Sequence, residues 1–220
     1  IKLDSAIVQL TKAIYRNQQD DEPVHLWKPI EGMVETKEAF RWVTEVDSSA
    51  AMSGAVNTIL FREDDPIGFN TDIFGVKSVV EQLAPSRMEA LVLGSGGAAR
   101  GVVAALIESN FSKVMVMNRT VEKSMKLAEE LERYSTDTEI SVMTWGEDPP
   151  VLPGLVVNAT SLGLHSNPFD PLLMEKIMNW ASGGVLLDMV YDPRGDTELV
   201  SSARKMGIRS LGGERVLLYQ

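Results

Sequence analysis

A run of small residues, Gly94-Ser95-Gly96-Gly97-Ala98-Ala99-Arg100, follows the apolar stretch Ala90-Leu91-Val92-Leu93 and leads into Gly101-Val102-Val103-Ala104-Ala105-Leu106-Ile107. Read as strand, glycine turn and helix start, this segment can seat a pyrophosphate. Gly94 and Gly96 let backbone N–H groups face the ligand, and Ala99 lets the helix pack closely on the strand. The ribose of a dinucleotide would lie beyond the next strand, Lys113-Val114-Met115-Val116-Met117, which is followed by Asn118-Arg119-Thr120. A site for NAD has a carboxylate there to accept from the ribose 2′-OH. Here the position holds Asn118, and Arg119 and Lys123 can clamp a 2′-phosphate, so the expected cofactor is NADP. The alternative, two solvated charges at a helix start, lacks a structural motive because cations in a first turn oppose the helix dipole.

Three further clusters bear polar groups flanked by small residues. Gly54-Ala55-Val56-Asn57-Thr58 is followed, after an acidic turn, by Gly68-Phe69-Asn70-Thr71-Asp72-Ile73-Phe74-Gly75, and downstream comes Val156-Val157-Asn158-Ala159-Thr160-Ser161-Leu162-Gly163. Asn57 and Asp72 could reach substrate hydroxyls. Asn158 and Thr160 end a strand at the carboxyl edge, where ligands bind in open α/β sheets. Each also has a local reading: Asn57 and Thr71 as turn residues, Asp72, Asn158 and Ser161 as caps.

Elements that could position these groups follow from periodicity. Apolar spacing predicts helices over Leu3–Asn17, Lys37–Asp47 and Asp72–Leu83, a loop over Gln18–Pro29 and a strand over Ala55–Arg62. After a break at Pro85-Ser86, strands and helices alternate. Strands are expected at Ala90–Leu93, Val114–Met117, Ile140–Met143, Leu155–Val157 and Gly184–Asp188, with helices at Val102–Ser109, Val121–Tyr134, Met174–Trp180 and Thr197–Met206. Such alternation implies a parallel sheet with helices on both faces. The expected fold is therefore α/β, a Rossmann-like doubly wound parallel sheet (85–220) preceded by a smaller N-terminal α/β domain (1–84).

Composition narrows the class. The 220 residues are 44% hydrophobic, enough for a packed core, and carry a formal net charge of −10, which argues against nucleic acid as a partner. Without cysteine there is no disulfide or thiolate chemistry, and His25 and His165 stand too far apart in sequence to suggest a metal site. No apolar run reaches the roughly 18 residues of a membrane span and no signal peptide is visible, so the expected setting is the cytoplasm, without membrane attachment. The chain opens on Ile1 and stops at Gln220 within the helical-looking run Arg215–Gln220, and reads as a portion of a longer protein.

Taken in order, these clusters, together with Asp188-Met189-Val190-Tyr191-Asp192-Pro193 and the closing Leu217-Leu218-Tyr219-Gln220, resemble the shikimate dehydrogenase family across most of the chain. The resemblance implies a two-domain enzyme, monomer or homodimer, that uses NADPH to reduce 3-dehydroshikimate reversibly to shikimate. It further implies substrate contacts from Asn57, Asp72, Tyr191 and Gln220, with the C-terminal end returning towards the substrate cleft. Pyrophosphate and 2′-phosphate would be held by Gly94, Ser95, Gly96, Gly97 and Ala98 and by Asn118, Arg119, Thr120 and Lys123, and Met189 and Gly213 would flank the nicotinamide. Lys37 sits at the offset of the family's catalytic lysine. The preceding Gly32-Met33-Val34-Glu35-Thr36 lacks the family's proline, no Ser-x-Ser clamp occurs in the first 30 residues, and Val216 stands where Met is usual. Lys37 is thus either the acid/base partner of Asp72 or a solvated lysine. Quinate oxidation with NAD or NADP, or ligand binding without catalysis, are the alternatives.

Overall fold

The computed structural model describes residues 43–60, 65–135, 137–164 and 167–220, and the chain divides into two compact units, Ile1–Thr71 and Asp72–Gln220. In the first, strands β1 (Glu45–Val46), β2 (Thr58–Leu60) and β3 (Ile67–Phe69) form a small sheet of order β1-β3-β2, parallel between β1 and β3 and antiparallel between β2 and β3. Helix α1 (Ser48–Ser53) starts at Asp47, whose carboxylate accepts from the Ala50 N–H at 3.0 Å. It ends at Gly54, whose φ of 66° is the left-handed conformation that glycine tolerates.

This corrects the expected helix over Lys37–Asp47. Within the described residues its end is extended, and Glu45 and Val46 pair with Ile67 and Gly68. Val43, Thr44 and Val46 are β-branched and suit a strand, and Asp47 caps the following helix rather than closing this one. The expected strand at Ala55–Arg62 shortens to Thr58–Leu60, with residues 61–62 outside the described part.

The second unit is built on a six-stranded parallel sheet of order β6-β5-β4-β7-β8-β9, with β4 (Glu89–Leu93), β5 (Lys113–Asn118), β6 (Glu139–Thr144), β7 (Leu155–Asn158), β8 (Val185–Asp188) and β9 (Arg209–Gly212). Its helices are α2 (Thr71–Leu83, from Asp72 on), α3 (Gly97–Glu108), α4 (Val121–Glu132), α5 (Pro171–Ala181), α6 (Glu198–Lys205) and α7 (Gly213–Tyr219). Ala90, Leu91, Val92 and Leu93 are all fully buried, as a central parallel strand requires. Leu91, Leu93, Met115 and Met117 pack with Leu173, Ile177 and Trp180 of α5 and Leu199 and Ala203 of α6. Ala90, Val92, Val114 and Val116 point the other way by strand alternation and are equally buried. This is the expected Rossmann-like α/β architecture. Among the described residues no helix is long and apolar enough to cross a membrane.

From β4 the chain winds outward through β5 to β6, then returns to the other side of β4 and winds outward again through β7, β8 and β9. The carboxyl ends of β4 and β7 therefore flank the point where the winding reverses, which is where open α/β sheets bind ligands.

Candidate functional site

Gly94 leaves β4 with φ of 110°, and a Cβ there would lie 2.8 Å from the Ala159 carbonyl oxygen, so conformation and space both demand glycine. The turn is tied to its neighbours: Gly94 N–H donates to the Met117 carbonyl at 2.8 Å and Ala159 N–H to the Leu93 carbonyl at 2.9 Å. Gly96 then caps α3 with extended backbone and no side-chain hydrogen bond, and Gly96, Gly97 and Ala98 are exposed. A Cβ built on Gly96 or Gly97 meets nothing within 4 Å. The first turn of a twelve-residue helix thus presents its N–H groups and the positive end of its dipole to open space, a fit for the pyrophosphate of a dinucleotide.

At the end of β5 the Asn118 amide nitrogen donates to the Thr120 carbonyl at 3.0 Å, and Thr120 begins α4 without a side-chain cap. Arg119 and Lys123 are exposed, and neither has an ion-pair partner among the described residues. By contrast Arg100 pairs with Glu130, Lys77 with Glu108 and Lys113 with Glu139. The cations at 119 and 123 are left available to a phosphate.

Asn158 and Thr160 meet each other. Asn158 is wholly buried: its Oδ1 accepts from Thr160 N–H at 3.2 Å and from the Thr160 hydroxyl at 2.7 Å, and its Nδ2 donates to the Leu162 carbonyl at 3.1 Å and to Asp188 at 2.8 Å. The Thr160 methyl lies beside Gly94. Asn158 therefore spends its amide on shaping the turn next to the glycine loop. Met189 and Gly213 are also together: Gly213 packs so tightly on the Met189 carbonyl that a Cβ would collide with it, and its N–H donates to the Val190 carbonyl at 3.2 Å. Tyr191, on the same loop, is 46% exposed.

Around α2, Gly75 lies against α7, where a Cβ would stand 2.7 Å from the Val216 carbonyl oxygen and 3.1 Å from Cγ of Gln220. Asp72 is one turn earlier on the same helix, and its Cβ lies beside Gly101 of α3. Gln220 and the start of α3 are thereby drawn to the N-terminal turns of α2. In the first unit Asn57 uses its Oδ1 to accept from the Thr71 N–H at 2.9 Å and from the Thr71 and Thr58 hydroxyls, while Asn70 Nδ2 donates to the Ala55 carbonyl at 3.1 Å. The two Asn-Thr motifs are therefore knitted together. Lys37 lies outside the described residues.

Residue-type reasoning did not single out the group at the end of β8. Asp188 has no solvent exposure, and its carboxylate accepts from Asn158, from Val190 N–H at 3.1 Å and from the Thr197 hydroxyl at 2.6 Å. Burial pushes its pKa up to about 6 against the opposing effect of these three donors, and the negative charge of Glu214 adds to the rise. The signal was a carboxylate closing an otherwise apolar strand, Val185-Leu186-Leu187-Asp188.

The model of the shikimate / quinate 5-dehydrogenase family matches residues 76–144. A shikimate dehydrogenase (NADP(+)) of Nitrobacter winogradskyi is 36% identical over 189 residues, 84% of this chain. The crystal structure of the shikimate 5-dehydrogenase of Thermus thermophilus in complex with NADP(H) and shikimate is 30% identical, covering 86% of this chain and 67% of that one at a TM-score of 0.67. The chain belongs to the shikimate/quinate 5-dehydrogenase family. It spans 64% of the length of the Nitrobacter relative. The quinate dehydrogenase of Corynebacterium glutamicum, in complex with NAD, shares the fold at 24% identity and a TM-score of 0.72, over 86% of this chain and 67% of that one. The family uses a nicotinamide cofactor, NADP in most relatives and NAD in some.

Proposed function

We propose that this member reduces 3-dehydroshikimate reversibly to shikimate with NADPH, residues 1–84 serving as the substrate-binding domain and 85–220 as the NADP-binding domain. The observation that carries the cofactor half is the end of β5, where an amide stands in place of the carboxylate of an NAD site and two exposed cations lack ion-pair partners among the described residues. Backbone N–H groups of Gly96–Ala98 take the pyrophosphate, Arg119 and Lys123 the 2′-phosphate, and Met189 and Gly213 border the nicotinamide. NADPH, when bound, supplies the hydride.

The chain's own residues do the rest. Asn57, Asp72, Tyr191 and Gln220 hold the substrate hydroxyls, a reading supported by the family motifs they occupy. Lys37, tuned by Asp72, gives the proton to the carbonyl oxygen as it becomes a hydroxyl, a role worth about 10²- to 10⁴-fold in rate. Asn158 and Thr160 act by holding the turn beside Gly94.

The test is NADPH oxidation at 340 nm (the nicotinamide band) with 3-dehydroshikimate, run beside the reverse reactions of shikimate and quinate with NADP and NAD. Turnover of 3-dehydroshikimate with NADPH as the preferred pair supports the reading. Preference for quinate and NAD would transfer the chain to the other activity of its family. Shikimate binding with no turnover would mark a ligand-binding protein, the outcome that the altered Gly32–Thr36 segment favours.

A further inference from the structure

The loop from Met189 to Asp196 begins and ends on one carboxylate. Asp188 binds Val190 N–H at its start and the hydroxyl of Thr197 at its end, and through Asn158 it also reaches the turn Thr160–Leu162 that abuts Gly94. Met189 N–H donates to the Asn158 carbonyl at 2.8 Å, closing the circuit between β7 and β8. The tip of the loop is fixed separately, by an Asp192–Gly195 bridge and by Arg194, whose Nη2 lies 2.7 Å from Asp192. Every hydrogen-bond partner of the Asp188 carboxylate is a donor, an amide N–H, a backbone N–H and a hydroxyl, while Glu214 adds a like charge nearby. An acceptor-only side chain suits that environment, and a buried network satisfied in this way rigidifies what it joins.

The geometry points to Asp188 as a positioning residue, a clasp that sets the Met189–Tyr191 strip and the Thr160–Leu162 turn in register with each other. Resting on the proposed NADP and shikimate site, the clasp fixes the distance between the wall of the nicotinamide pocket and the glycine loop. A filler carboxylate in the core would leave the two loops independent. This one makes them move together.

Amide hydrogen exchange on the full chain, with and without NADPH, tests it in Asp188→Asn, Thr197→Val and Thr197→Ser. Asp188→Asn leaves the α6 cap in place, since Thr197 still accepts from Val200 N–H at 3.2 Å, so fraying of α6 is not its expected effect. Exchange in 189–196 and in 159–163 should rise together by about tenfold, the scale of one lost charge-assisted hydrogen bond. Thr197→Val should loosen 189–196 and, by removing the cap of α6, its first turn, while sparing 159–163, and Thr197→Ser should restore both. β4 and β5 should keep their protection in all three, and NADPH affinity by fluorescence titration should weaken severalfold in the first two. Unchanged exchange in both loops of Asp188→Asn, or a rise spread equally over β4 and β5, overturns the clasp. Should the wild type fail to bind NADPH, the functional reading falls, and the exchange pattern still decides the clasp.

Discussion

Lys123 stands in the first turn of α4 and Arg119 just before its Thr120 cap, both at the positive end of the helix dipole, with no ion-pair partner among the described residues to repay that placement. A bound 2′-phosphate would repay it. Arg119→Ala should therefore cut the preference for NADPH over NADH by about tenfold in kcat/KM, equivalent to about 1.4 kcal/mol, with little change in thermal stability. Equal use of both cofactors by the wild type would defeat the assignment. Lys37→Ala should lower kcat by about 10²-fold with NADPH affinity intact, and Asp72→Asn should do likewise with a higher KM for the substrate. Near-normal turnover in Lys37→Ala would move the proton donor elsewhere. At this scale the sequence revealed residue types better than their partners. Asn57 reads as a ligand from its motif, yet its side-chain oxygen also anchors Thr71, and Asn158 turns out to spend its amide inside the protein. The Asn57–Thr71 and Asn158–Asp188 bonds join residues 14 and 30 apart in sequence, and no local spacing encodes them.

Two glycines at opposite ends of the sheet have opposite tolerances. Near the amino ends of β4 and β7, a Cβ on Gly154 would collide with the Arg87 carbonyl, while Arg87 itself donates from Nη1 to the Leu152 carbonyl at 3.0 Å. Gly154→Ala should cost about 1–3 kcal/mol by overpacking, lowering Tm by several degrees in a thermal melt with cofactor affinity little changed. Gly97→Ala, facing open space, should leave Tm unchanged or slightly raised and weaken NADPH binding. Asp188 adds a pH signature. Its pKa of about 6 is raised above that of an unfolded carboxyl, so between about pH 4 and pH 6 the native state keeps a proton that the unfolded chain has lost. Its contribution to stability is greatest in acid, declines by about 3 kcal/mol through that window and is level above it. The difference in Tm between wild type and Asp188→Asn should trace this slope; a pH-independent difference would mean that the carboxyl is not raised. Among the elements, periodicity located the long apolar ones well. It missed β1, whose two residues are both exposed, β3, whose three residues are too few to show a period, and β9, Arg209-Ser210-Leu211-Gly212, where an edge strand carries too few apolar residues for a pattern to show.

For the molecule as a whole, the alternation of strands with helices, interrupted between β6 and β7, made the doubly wound sheet legible. The order of its strands came only from the structure, because pairing between parallel strands leaves no mark in either sequence. That order has a consequence for how the chain is made. β4 pairs with β5 on one edge and with β7 on the other, and β7 is separated from it by all of α3, β5, α4 and β6. During synthesis the half-sheet β4-β5-β6 can close early from neighbouring pieces, while the far edge of β4 keeps Leu91, Val92 and Leu93 beside unpaired backbone until β7 arrives. A nascent chain at that stage offers the kind of sticky border on which another copy can dock. Substitutions that slow the arrival of Leu155–Asn158 should therefore reduce soluble yield more than their effect on the melting point of the finished protein predicts. Comparing yield with Tm for matched variants in β7 and in β9, an outer strand, would expose this vulnerability of the half-made molecule.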